Sequence, residues 1–167
     1  PIGVGEQQSV YLNDIDPGKD GATLTLANGE EILIKDALAG DIATQAGVKI
    51  SKTADGQIVY ELTGDNVDTS QYNMITTSRG EQTQVRLPDG SVVFLNAASS
   101  LRFPASFAKF KERRVELSGE GYFEVAKYQA HPFIVKSDQQ QIEVLGTHFN
   151  VSAYKDEKAV KTTLLEG

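Results

Sequence analysis

The chain has 167 residues, 40% of them apolar, enough for one domain with a sizeable core. Its net charge of −7 and pI near 4.8 argue against nucleic acid and anionic membrane as main partners, since both need clustered cations. There is no cysteine, which removes disulfides, thiol catalysis and thiolate zinc sites, and no run reaches the ~18 apolar residues of a membrane helix.

The start, Pro1-Ile2-Gly3, has neither the charged nor the apolar region of a signal peptide, so the chain reads as an excised or mature soluble portion. Periodicity is mostly two. In chain order, strands are expected at Ser9–Leu12, Thr23–Leu26, Glu31–Ile34, Gly47–Ser51, Ile58–Leu62, Asn73–Thr77, Thr83–Leu87 and Val92–Leu95. They continue at Leu101–Phe103, Arg114–Ser118, Gly121–Ala126, Phe133–Ser137, Gln141–Leu145, His148–Tyr154 and Val160–Leu165. Short strands separated by Gly, Pro, Asp and Asn indicate an antiparallel β-sandwich or barrel with little or no helix. Asp36–Ala46 carries alanines and a candidate Asp cap, but Gly40 interrupts it, so a single turn or a loop is expected. Pro104–Glu112 is a second candidate for one helical turn. Gly64–Ser70 is polar and glycine-bearing; it divides an N-terminal β-rich lead-in, 1–70, packed on the same sandwich, from the main body, 71–167.

Three hairpin turns stand out. Pro88-Asp89-Gly90 closes the first: Pro88 presets φ, Asp89 bonds its own backbone, and Gly90 supplies positive φ. That loop makes Leu87 face Ser91, pairs Val85 with Val93 and Thr83 with Leu95, and leaves Gln84, Arg86, Val92 and Phe94 on a half-polar face. Asn28-Gly29 plays the same part in the segment 22–34, where Leu24 opposes Ile32. This reads as converged turn chemistry rather than a duplicated binding edge, and two copies make no repeat array. Asp55-Gly56 marks the third turn.

Candidate chemistry is sparse. His131 precedes a proline and His148 enters a strand; nothing at metal-ligand spacing surrounds either, so both are read as structural or surface histidines. Glu120 and Glu124 lie about 13 Å apart along one strand, at about 3.3 Å per residue. Retaining glycosidases need about 5 Å and inverting ones about 6.5–9.5 Å. The pair therefore reads as one strand face with Tyr122, opposite a core face of Gly121, Phe123 and Val125. Ser91, Ser99, Ser100 and Ser118 lack a nucleophile elbow, and no phosphate loop occurs. Asp14, Asp16 and Asp20 read as a solvated acidic turn, because the glycine and terminal glutamate of a calcium loop are missing. No cofactor or metal is expected. Lys109, Lys111, Arg113 and Arg114, interleaved with Phe107 and Phe110, form the one dense cation cluster. It reads either as a solvated loop with anchoring rings or as a docking patch for an acidic partner.

Several phrases add up to a family signature: Leu87-Pro88-Asp89-Gly90-Ser91, Leu95-Asn96-Ala97-Ala98-Ser99-Ser100-Leu101, and Arg114-Val115-Glu116-Leu117-Ser118-Gly119-Glu120-Gly121-Tyr122-Phe123-Glu124-Val125. His131-Pro132-Phe133-Ile134-Val135, Leu145-Gly146-Thr147-His148-Phe149-Asn150-Val151 and Leu164-Leu165-Glu166-Gly167 complete it. Together, over roughly residues 76 to 167, they closely resemble the FecR family, and the preceding part resembles the β-rich lead-in of Bacteroidetes-type members. The resemblance implies a jelly-roll-like domain in the periplasm, part of a single-pass inner-membrane anti-sigma factor. It implies a partner too: the signalling domain of a TonB-dependent outer-membrane transporter, in systems for glycan or iron uptake. The helical sigma-binding segment and the membrane helix of the family are not in this sequence. Sigma-factor and membrane contact are thus expected only through segments outside it. The family pattern also runs on past Gly167, so a fragment is expected. The expected role is non-enzymatic recognition and relay, with docking at a sheet edge. Rival readings are a carbohydrate-binding β-sandwich, which needs an exposed platform from Tyr11, Tyr60, Tyr72, Tyr122, Tyr128 or Tyr154, and a hydrolase, disfavoured by the carboxylate spacing.

Overall fold

The computed structural model describes residues 19–45, 47–64, 70–138, 140–155 and 161–166. The expected strand at 9–12, Asp14 and Asp16 of the acidic turn, and most of the 64–70 linker lie outside those residues.

Fifteen strands occur among the described residues: β1 Lys19–Asp20, β2 Thr23–Thr25, β3 Glu31–Leu33, β4 Gly40–Gln45, β5 Val48–Lys52, β6 Ile58–Leu62, β7 Tyr72–Thr76 and β8 Glu81–Arg86. They continue as β9 Val92–Leu95, β10 Ser100–Pro104, β11 Arg113–Glu124, β12 Phe133–Lys136, β13 Gln141–Val144, β14 His148–Ala153 and β15 Lys161–Glu166. The fold is all-β and sandwich-like, as the period-two pattern implies, with one 3₁₀ turn among the described residues, at Ile34–Asp36. Lys52 holds that turn by donating from Nζ to the Ile34 and Ala37 carbonyls at 2.7 and 2.8 Å.

The long strand β11 organises the molecule. Its first half pairs with β10 and β12, in the layer that runs β3-β2-β7-β10-β11-β12-β13. Its second half, from Gly119, pairs with β9 and β14, in the layer β4-β5-β6-β8-β9-β11-β14-β15. Alternation predicts two separate strands here. A single bent strand crosses between layers instead, because Gly119 takes φ +91 and approaches Ser99 where any Cβ would clash. The inner faces of both layers meet in one core. Leu24, Ile75, Leu101, Phe103, Val115 and Phe133 pack from the first, and Ile50, Ile58, Val85, Val93, Phe123 and Phe149 from the second. The Tyr60 and Phe103 rings meet edge-on at 5.0 Å across the layers, and Phe123 meets Phe133 at 6.2 Å. Asn73, buried beside them, donates to the Tyr60 hydroxyl and to Gln45 Oε1 and accepts from the Ala27 amide, joining β7 to β6 and β4. Burial pushes the Tyr60 phenol above its usual range.

The three turns form as expected. Thr83 pairs with Leu95 and Val85 with Val93, and the Leu87 amide donates to the Ser91 carbonyl at 2.8 Å. Leu24 opposes Ile32 across Asn28-Gly29, and Lys52 opposes Ile58 across Asp55-Gly56. Gly90 has φ +89, and the position a Cβ would take has no neighbour within 4 Å. Gly90→Val therefore tests backbone strain alone and should cost about 1–3 kcal/mol. Chemical denaturation reads it; an unchanged midpoint would mean the turn is not held at positive φ.

Four features depart from the sequence pattern. β4 is a strand where a turn or loop was expected, because pairing with β5 recruits a segment of small and polar residues into an edge, with a bulge between Asp41 and Ala43. β1 is a two-residue parallel pairing with β8. β6–β8 and β11–β12 are parallel too, so the sandwich is not purely antiparallel. The segment 105–112 is a series of turns with no helix.

Candidate functional site

Two surfaces bring chemistry-bearing residues together. The first surrounds the segment between β10 and β11. Arg113, the first residue of β11, points inward rather than into solvent. Its side chain is 2% exposed and its Nη1 lies 2.8 Å from Asp89 Oδ2, whose side chain is 9% exposed. Nη1 also donates to the Ala126 carbonyl at 2.8 Å, Nε to the His131 carbonyl at 2.8 Å, and Nη2 to the Leu145 carbonyl at 3.3 Å. Asp89 in turn accepts from the Ser91 amide through Oδ1 and from the Ser91 hydroxyl through Oδ2. The Pro88-Asp89-Gly90 turn is thus both a local turn and half of a buried ion pair. Arg113 therefore leaves the expected docking cluster, because a buried guanidinium bonded through all three of its nitrogens presents no charge to a partner.

The rest of that cluster is exposed. Lys109 and Lys111 face solvent, and Arg114 pairs loosely with Glu112 at 3.4 Å. Phe107 is anchored edge-on against Phe133 at 6.2 Å, and the Ala108 amide donates to Ser106 Oγ. His131 Nδ1 lies 3.0 Å from the Phe110 carbonyl and its ring meets Tyr128 at 4.6 Å, so this histidine ties the turns in place. Between these turns and the Pro88 hairpin lies a cleft of about 210 Å³ bordered by Leu62, Pro88, Phe107, Ala108 and Tyr128. Leu62 and Tyr128 are 44% and 53% exposed.

The second surface is the outer face of the β8-β9-β11-β14 layer. Here Gln84, Phe94, Tyr122 and Asn150 stand directly opposite one another across four strands. Phe94 and Tyr122 rings meet at 5.6 Å, and Tyr122 meets His148 edge-on at 6.3 Å. Glu120, one step along β11, accepts from Asn96 Nδ2 and from Asn150 Nδ2, each at 2.8 Å. The Asn96–Ser99 phrase holds its shape through Thr77, whose hydroxyl donates to the Asn96 carbonyl and accepts from the Ser99 amide. Ser99 Oγ accepts from the Glu120 amide at 2.9 Å. Phe123 is fully buried on the opposite side, as the alternation of β11 requires, while Glu120, Tyr122 and Glu124 share the outer face. Of the tyrosines named as a possible platform, Tyr60 is core, Tyr72 lies under the Arg102 guanidinium, and Tyr154 donates to the Ala97 carbonyl. Tyr11 lies outside the described residues. Asp20 accepts from Gln82 Nε2 at 3.4 Å, and Thr53, donating to its carboxylate, holds the fully exposed Asp55 below the usual carboxylate range. No group of three or more His, Asp or Glu residues among those described is arranged to hold a metal ion.

A two-layer, all-β, sandwich-like domain is the class this geometry defines. A profile of the FecR protein family matches residues 73–167. The chain belongs to the FecR family. Two crystal structures of a protein from Parabacteroides distasonis ATCC 8503, proposed to be an anti-sigma factor, are similar to it. One is 37% identical over 57% of this chain and 49% of its own, with a TM-score of 0.51. The other is 38% identical over 56% and 48%, with a TM-score of 0.50. The chain thus spans about half the length of these relatives. No curated protein matches it.

Proposed function

We propose that this chain is the sensor and relay domain of an anti-sigma factor, and that its work is protein recognition rather than catalysis. The observation that carries the reading is the FecR match over 73–167 together with likeness, at 37–38% identity, to the Parabacteroides protein. In this reading the domain lies in the periplasm and belongs to a single-pass inner-membrane protein. It binds the signalling domain of a TonB-dependent outer-membrane transporter and passes the signal to an extracytoplasmic-function sigma factor through a segment outside this chain.

The exposed pair Lys109 and Lys111 beside the Leu62–Phe107–Tyr128 cleft is the docking surface we assign to that partner. An acidic loop carrying one apolar side chain fits it, the charge steering encounter and the apolar group filling the cleft. Calorimetry tests this with the signalling domain of a TonB-dependent transporter from the same genome, one encoded next to this gene where such a neighbour exists. Lys109→Glu/Lys111→Glu should leave the melting temperature unchanged, since exposed lysines contribute little stability. It should weaken binding about tenfold at low salt and much less at high salt. Equal affinities would remove this surface and leave a sheet edge. No binding by the unaltered protein would sink the transporter reading itself.

A further inference from the structure

We infer that the cleft on the outer face of the β8-β9-β11-β14 layer is a binding site for a neutral saccharide, seated on Phe94 and Tyr122 and held by the side-chain amides around Glu120. This site is separate from the docking surface and does not rest on the transporter reading.

The cleft measures about 330 Å³, at the lower end of small-ligand pockets and enough for one or two sugar rings. Its chemistry is specific. Five amides line it: Gln57, Gln82, Gln84, Asn96 and Asn150. An amide both donates and accepts, as a sugar hydroxyl does, so an array of amides matches vicinal hydroxyls. Its lining also includes an aromatic pair, Phe94 and Tyr122. Phe94 is 37% exposed although the positions around it are polar, and it leans on Tyr122. Such rings offer flat apolar surface to the C–H face of a pyranose.

The polar groups are already in position. Glu120 anchors Asn96 from one oxygen and Asn150 from the other, while its backbone amide is tied to Ser99. A site held this way has less ordering cost left for a ligand to bear. Charge selects the ligand class further. Among the described residues that line the cleft there is no lysine or arginine, while Asp20, Asp55 and Glu120 are present. An anionic sugar is therefore repelled. A polyamine is the competing occupant. The amides outnumber the carboxylates, and Glu120 has both oxygens engaged, which favours a neutral ligand.

The test is ligand-observed saturation-transfer NMR on this chain. The probes are glucose, mannose, galactose, N-acetylglucosamine, maltose and cellobiose at millimolar concentration, with glucuronate and spermidine as charged controls. At least one neutral sugar should show transfer, and the charged probes should not. The double variant Phe94→Ala/Gln84→Ala should bind that sugar at least about tenfold more weakly, with its folded NMR spectrum retained. Tyr122→Phe, which keeps the ring, should retain binding to within a few-fold. Silence from every neutral sugar, transfer to spermidine alone, or undiminished transfer in a folded double variant would each overturn the assignment. Lys109→Glu/Lys111→Glu should leave the sugar signal intact, so a failure at one surface is distinguishable from a failure at the other.

Discussion

Arg113→Ala will destabilise the domain by about 3–5 kcal/mol, the range for removing one partner of a buried ion pair. The reason is what remains behind. Asp89 keeps its Ser91 bonds but loses its paired cation, and the carbonyls of Ala126, His131 and Leu145 lose a shared donor. Four separate chain segments are released together. The guanidinium also lies over the Phe133 ring at 5.4 Å, so packing is lost along with charge. Urea unfolding of Arg113→Ala, Asp89→Asn and the double variant measures the coupling. The double variant should lose less than the sum of the single losses, because it leaves no lone buried charge. A loss below about 1 kcal/mol for Arg113→Ala is what an exposed pair would give, and would return Arg113 to the surface cluster.

Gly119→Ala should be nearly as damaging. A Cβ at this position would overlap Ser99 Oγ and lie 2.8 Å from Ser99 Cα, so backbone as well as side chain must move. Positive φ at a non-glycine residue adds about 1–3 kcal/mol and overpacking about 1–3 kcal/mol, so about 2–6 kcal/mol is expected together. Gly90→Ala is the control, with similar φ but open space around the Cβ; it should carry the strain alone. Equal midpoints for the two variants would show that the crossing of β11 between layers does not depend on the close approach at Ser99. The Asn96–Ser99 phrase adjoins this contact and supports Glu120, so Gly119→Ala should also disturb the outer-face cleft.

The loop that carries Lys109 and Lys111 inherits its orientation from buried groups. His131 holds the Phe110 carbonyl and Arg113 holds the His131 carbonyl, so the exposed lysines depend on a core ion pair. A spacing argument groups Arg113 with its charged neighbours because it sees only their proximity in sequence. Strand register separates them: Arg113 and Val115 face inward, and Arg114 and Glu116 outward.

Much was legible in the residues because it is local. Pro88-Asp89-Gly90, Asn28-Gly29 and Asp55-Gly56 set their own backbone angles, and the two-residue period then decides which side chains go inside. Hence the hairpin registers and the buried Phe123 followed from pattern alone. The family was legible for a related reason: each phrase marks a turn or strand whose residues are tied to that place. What only the tertiary structure decided are matters of long-range pairing. β4 carries a weak side-chain pattern and is a strand because β5 offers it a partner. Arg113 is buried because Asp89 waits for it 24 residues away in sequence. The row Gln84, Phe94, Tyr122 and Asn150 exists only once four strands are in register. Turn chemistry acts over a few bonds, whereas burial of a charge or assembly of a cleft depends on distant segments meeting in three dimensions.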